Sequence, residues 1–158
     1  MAYNNNNKNN QNQKKKNNDY FSRNIKQKGE NFIGIMTTLE IQRDAIRIFR
    51  DIAKGAVDLD MYSHYFEDAT FLDNCILAAE AKLKYHSINA DANERSIFQD
   101  QQNGLCVDPM RITVAQNERN KATAYNIVRN SLLAVKFSND TSNLYVMANQ
   151  LRPYRNSL

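Results

Sequence analysis

The chain has 158 residues, 42% of them hydrophobic and 24% charged, with a formal net charge of +4. Four Gly, two Pro and two Cys exclude collagen-like, Pro/Gly-rich and disulfide-scaffold classes. The length suits one domain, no apolar run approaches a transmembrane span, and the polar start does not read as a secretory signal.

The charge is segregated along the chain. Residues 1–30 carry +5, residues 31–140 carry −3 and residues 141–158 carry +2. A mildly acidic body between basic ends points to termini that touch nucleic acid or another acidic surface. The first 18 residues, MAYNNNNKNNQNQKKKNN, include nine Asn and show no apolar period. Such a tract buries too little surface to offset its ordering entropy, so a disordered or extended arm is expected. An A/T-rich genome would generate much of the Asn, Lys and Ile content by itself. It accounts for the Asn run better than for the charge segregation. Residues 19–34 read as a transition in which Tyr20, Phe21, Ile25, Phe32 and Ile33 dock the arm onto the body, with residues 1–30 taken as the arm and docking segment.

Residues 38–54 make the clearest helix. Thr37 and Glu40 form a capping box, and Gly55 stands where a C-terminal glycine belongs. Leu39, Ile41, Ala45, Ile46, Ile48, Phe49, Ile52 and Ala53 give a broad apolar stripe. Arg43, Arg47, Arg50 and Lys54 recur within about 60° of one another on the helical wheel, beside the acidic Glu40, Asp44 and Asp51. That basic stripe is a candidate phosphate-contacting face. A solvated face held by pairs such as Glu40–Arg43 and Asp44–Arg47 is the plainer reading.

Residues 56–67 are aromatic-rich, and Tyr62, Tyr65 and Phe66 are expected to cover the core rather than stack on nucleobases, because basic neighbours are lacking. A second helix is predicted over 68–87, capped by Asp68, with Phe71, Leu72, Cys75, Ile76, Ala79 and Leu83 on one face. Ile88-Asn89-Ala90-Asp91 reads as a break. Asp91 then caps a shorter helix to about Gln102, ended by Gly104. Asp108-Pro109 signals a helix start, whereas Arg111-Ile112-Thr113-Val114 alternates like a strand. A helix over 117–136 presents Ala124, Tyr125, Val128, Leu132 and Val135. Beyond the loop at 138–143, Leu144–Ala148 favours a short helix, and a C-terminal hairpin with 135–137 is the alternative. The expected fold is mainly α: a compact bundle of four or five helices over 31–151, with a basic C-terminal tail at 152–158.

Catalytic signatures are absent: no P-loop, G-x-G-x-x-G, G-x-S-x-G or H-E-x-x-H occurs. Cys75, Cys106, His64 and His86 lack familiar zinc spacing, and Cys75 reads as an inert buried thiol. Asp73 and Glu80 share a helical face and read as polar surface rather than as an acid/base pair. A helix-turn-helix around 88–91 would present Asp91, Glu94 and Asp100, a poor surface for a phosphate-lined groove. The expectation is therefore a non-enzymatic protein with no cofactor and no metal. Its candidate contacts are Lys8, Lys14, Lys15, Lys16, Arg23, Lys26 and Lys28 in the arm, the four cations of the 38–54 stripe, and Arg152 and Arg155 at the end.

In organisation the chain resembles small structural proteins of tailed-phage virions, of the auxiliary capsid or connector type. The resemblance rests on the Asn/Lys arm of 1–18, the helical body and the tail LRPYRNSL, and on no residue motif. It implies an oligomeric virion component assembled in a host cytoplasm, whose arm binds neighbouring subunits or packaged DNA, with no membrane partner. The alternative is a small cytoplasmic nucleic-acid-binding or regulatory protein.

Overall fold

A computed structural model describes residues 38–158. Expectations that fall on residues 1–37, including the capping box begun at Thr37, lie outside the described residues. Five α-helices occur among the described residues: α1 (Thr38–Lys54), α2 (Leu59–Ser63), α3 (Ala69–Gln102), α4 (Pro109–Ser138) and α5 (Asn143–Leu151). Short 3₁₀ turns follow α2 (Tyr65–Glu67) and α5 (Arg152–Tyr154), and no strand is present among the described residues.

The helix ends follow local chemistry. Gly55 adopts φ +66°, and the bonds Gly55 N–H to Ile52 O and Ala56 N–H to Asp51 O close a Schellman motif on α1. Gly104, at φ +73°, closes α3 in the same way through Gln101 O and Asp100 O. The carboxylates of Asp58, Asp68 and Asp108 accept backbone N–H groups at the starts of α2, α3 and α4. Pro109 occupies the first turn of α4, where its missing N–H costs nothing. Asn139, in the left-handed region at φ 53°, ends α4, and Asp140 accepts the Ser142 N–H ahead of α5. That backbone donor holds the Asp140 carboxyl below its ordinary pKa.

The core is built where α1 and α5 cover one part of the long α3–α4 pair. Phe49, Ile48 and Ile52 of α1 meet a core that includes Phe66, Cys75, Tyr125, Leu132, Leu144 and Leu151, all nearly inaccessible. Phe66 stacks edge-on against Phe71 at 5.6 Å, and Tyr62 against Tyr65 at 5.1 Å. These rings close the core below α2, as their clustering in the sequence predicts. Beyond Ala90 on α3 and before Ala115 on α4 no position is buried, so that end is a two-helix hairpin joined through small side chains and ion pairs.

One expectation requires correction, and two alternatives are decided. The break at 88–91 does not occur: α3 is one helix of 34 residues, about 51 Å long. Residues 69–102 contain neither Gly nor Pro, and Ala90 is sealed against α4, so packing overrides the weak helix preference of Asn89 and Asp91. With no turn at 88–91, the helix-turn-helix placed there is lost as well. At 111–114, where helix start and strand alternation competed, the helix wins: Pro109 starts a helix that runs unbroken to Ser138 and leaves Ile112 and Val114 exposed. The favoured short helix forms as α5, whose Leu144, Met147 and Leu151 recur at i, i+3 and i+7 and are buried, so the alternative hairpin does not occur.

Candidate anion-binding surface

The site begins with α1. Ala45, Ile46, Ile48, Phe49, Ile52 and Ala53 of its apolar stripe are consumed by the core, which leaves Arg43, Arg47, Arg50 and Lys54 outward and exposed. They do not act as one row. Arg43 and Arg50 line a groove of about 590 Å³ between α1 and α3, opposite Lys82 and Tyr85, with Ile46 and Ala78 among its walls. Arg47 turns elsewhere: its guanidinium lies 3.7 Å from Asp44. It also faces the Tyr62 phenol, whose pKa is raised by burial and by Asp51, with Arg47 opposing.

Arg50 is anchored from two sides. Its Nε donates to the Leu158 carbonyl at 3.1 Å, a contact between residues 108 apart in sequence. It also faces the Tyr125 phenol, whose pKa burial raises and the guanidinium partly restores. Arg43 is exposed, with its Nε 4.0 Å from the Asp44 carboxylate. No carboxylate is among the residues described as lining the groove.

The C-terminal residues form a second cluster. Leu151 is fully buried and fixes the chain direction. Arg155 N–H to Arg152 O at 3.4 Å and Ser157 N–H to Tyr154 O at 2.8 Å then turn it back along α1. Arg152 and Arg155 thereby join Lys54 around a second cleft, also about 590 Å³, whose walls include Val57, Tyr145 and Asn149. Lys54 sits in the last turn of α1, where a cation is favoured by the helix dipole. Tyr145, at the edge, donates to the Asp60 carboxylate.

The carboxylates of α3 are neutralised in place. Along α3, Asp73 pairs with Lys136 at 2.9 Å, Glu80 with Arg129 at 3.1 Å and Asp100 with Arg111 at 2.6 Å. Arg119 joins Asp91 at 2.6 Å and Glu94 at 2.9 Å. Its hydrogen bond holds the Glu94 carboxyl below its ordinary pKa. These pairs tie α3 to α4, so the shared face of Asp73 and Glu80 is a seam between helices. The cations of α1 and of the C-terminal turn stand outside this seam.

The chemistry-bearing residues are dispersed. No group of three metal-ligating side chains occurs among the described residues. Cys75 is buried, which pushes its thiol far above its ordinary pKa, and Cys106 is exposed. His64 is exposed, 3.7 Å from Glu67. His86 is buried between α3 and α4, with Nδ1 2.7 Å from Glu118 and its ring stacked on Tyr125. This His–carboxylate pair lines none of the four clefts described.

Of the candidate contacts, Lys8, Lys14, Lys15, Lys16, Arg23, Lys26 and Lys28 lie outside the described residues. Arg43 and Arg50 form one site, and Lys54, Arg152 and Arg155 another. Lys82 and Tyr85 were missed by the sequence reading. Their signal was the segment Lys82-Leu83-Lys84-Tyr85, in which an aromatic among lysines falls away from the apolar face. No helix among the described residues is long and apolar enough to cross a membrane. Comparison with protein-family models, curated proteins and solved structures finds no match to the chain.

Proposed function

We propose that this chain is a non-enzymatic structural and interaction protein of a large assembly, of the virion-component kind its organisation resembles. Basic surfaces make its contacts with neighbouring subunits or packaged nucleic acid. The observation that carries the reading is the convergence of cations from distant parts of the chain on α1. Lys54 meets Arg152 and Arg155, while Arg43 and Arg50 meet Lys82. Holding several like charges together has a repulsive cost that a polyanionic partner or an acidic protein surface relieves. The +5 segment at residues 1–30 adds charge of the same sign.

Purification at native abundance, followed by mass spectrometry of the intact complex, tests this. A stoichiometric complex with other protein subunits is the expected result. A chain recovered as a free monomer, without protein partners, overturns the assembly reading. Recovery with nucleic acid alone supports instead a small cytoplasmic nucleic-acid-binding protein, a reading that the exposed Tyr85 among cations also favours.

A further inference from the structure

The groove between α1 and α3 differs from the cleft at the C-terminal turn in one respect: it combines cations with an open aromatic face. Tyr85 is 61% exposed, and its one described ring contact is edge-on to the buried His86 at 5.0 Å. An aromatic side chain so exposed has a ring face open to solvent. Arg43, Arg50 and Lys82 border the same groove. Cations that follow a sugar-phosphate backbone, next to a ring on which a base can stack, are the two elements of single-strand binding.

Scale supports the match. Arg43 and Arg50 are seven residues apart on one helix, so their Cα atoms are separated by about 10.5 Å along its axis. That distance exceeds the roughly 3.4 Å spacing of one strand's charges along a stacked helix, so the two cations can reach different phosphates of one strand. The walls at Ile46 and Ala78 are apolar, which suits a base edge more than a second layer of phosphates. Arg50 is held by the Leu158 carbonyl, so one cation is already oriented before a ligand arrives and loses less freedom on binding.

We infer that this groove binds single-stranded nucleic acid, with Arg43, Arg50 and Lys82 on separate phosphates of one strand and Tyr85 stacked on a base. The inference rests on the reading of the cationic surfaces as contact surfaces and names the ligand of one of them. A duplex fits less well, because its paired bases are already stacked and cannot turn onto an isolated ring.

Fluorescence anisotropy of the full chain with a short fluorescein-labelled oligothymidine tests it, with a labelled duplex as the second probe. Tyr85→Ala should weaken single-strand binding roughly 5- to 150-fold, the span found for loss of one base–aromatic stack. The same change should leave duplex binding within twofold. Arg43→Gln with Lys82→Gln should reduce the salt slope for the single strand by about 1.4, since each phosphate contact contributes about 0.7. Phe137→Ala, which removes an exposed ring outside the groove, should bind as the parent does. All four positions are exposed, and circular dichroism checks that each variant retains its helices.

Unchanged single-strand affinity in Tyr85→Ala overturns the inference, as does equal sensitivity of the duplex to that change. A parent chain that binds neither probe also overturns it. That outcome leaves the assembly reading standing wherever the intact complex contains other protein subunits.

Discussion

Phe49→Ala probes how α1 is held and therefore how its basic side chains are presented. Phe49 is completely buried, facing the interior from a 17-residue helix. Truncation of such a ring costs about 3–5 kcal/mol through lost transfer energy and the cavity left behind. The described unit spans about 120 residues, for which a total stability of about 6–18 kcal/mol is typical. The variant should therefore fold with a much-reduced margin. An unfolding entropy of about 0.25 kcal/mol/K for this size converts a 4 kcal/mol loss into a Tm lower by about 16 °C. Urea titration by far-UV circular dichroism gives the free energy, and a thermal scan gives the Tm. Phe137→Ala is the matched control: the same atoms are removed from a ring that is 80% exposed, and the change should stay within about 0.5 kcal/mol. Similar losses in the two variants, or a loss below about 1 kcal/mol for Phe49→Ala, would refute the packing of α1 described above.

Other expectations follow from single observations. Gly104→Ala should cost about 1–2 kcal/mol, measurable by urea titration. The cause is backbone conformation alone, because a Cβ there meets nothing within 4 Å at φ +73°; Gly104→Asn should cost less. A thiol reagent should label Cys106 at once in the native protein, and Cys75 only as the chain unfolds. The Glu94 carboxyl, held down by Arg119, should titrate by NMR below the ordinary glutamate range and return to it in Arg119→Gln. Because the folded-state pKa is lowered, the pair contributes stability above the unfolded-state pKa, lost as pH falls through the folded-state value. Acid should therefore loosen the α3–α4 hairpin less in Arg119→Gln than in the parent.

The sequence was most legible where one residue decides the geometry. Gly55 and Pro109 each mark a helix boundary because glycine tolerates positive φ and proline lacks an N–H. The faces of α1, α4 and α5 were legible because their apolar residues recur with the helical period. The segment at 88–91 was not: Asn89 and Asp91 disfavour a helix locally, and what holds it is the burial of Ala90 and the reach of Arg119 from α4. Both depend on a partner helix about 30 residues away. The apolar alternation at 111–114 misled for the opposite reason, since Ile112 and Val114 face outward and mark no core.

The charge pattern changes meaning when it is folded. Read along the chain, the cations of α1 and those of the C-terminus are separate runs, and the body between them is acidic. Folded, much of the acid on α3 is taken up by Lys136, Arg129, Arg119 and Arg111, which face it from α4. Exposed pairs of this kind add little stability individually. Their larger effect is on the field: carboxylates paired across the α3–α4 seam are partly cancelled before they can offset the cations around α1. The C-terminal turn reaches α1 because Leu151 is buried, not because its charges are attracted there; Arg152 and Arg155 approach Lys54 against repulsion. Hydrophobic burial thus sets the position of the basic clusters. Lowering salt should consequently raise the repulsion within each basic cluster while strengthening any contact with a polyanion, two opposite responses from the same set of side chains.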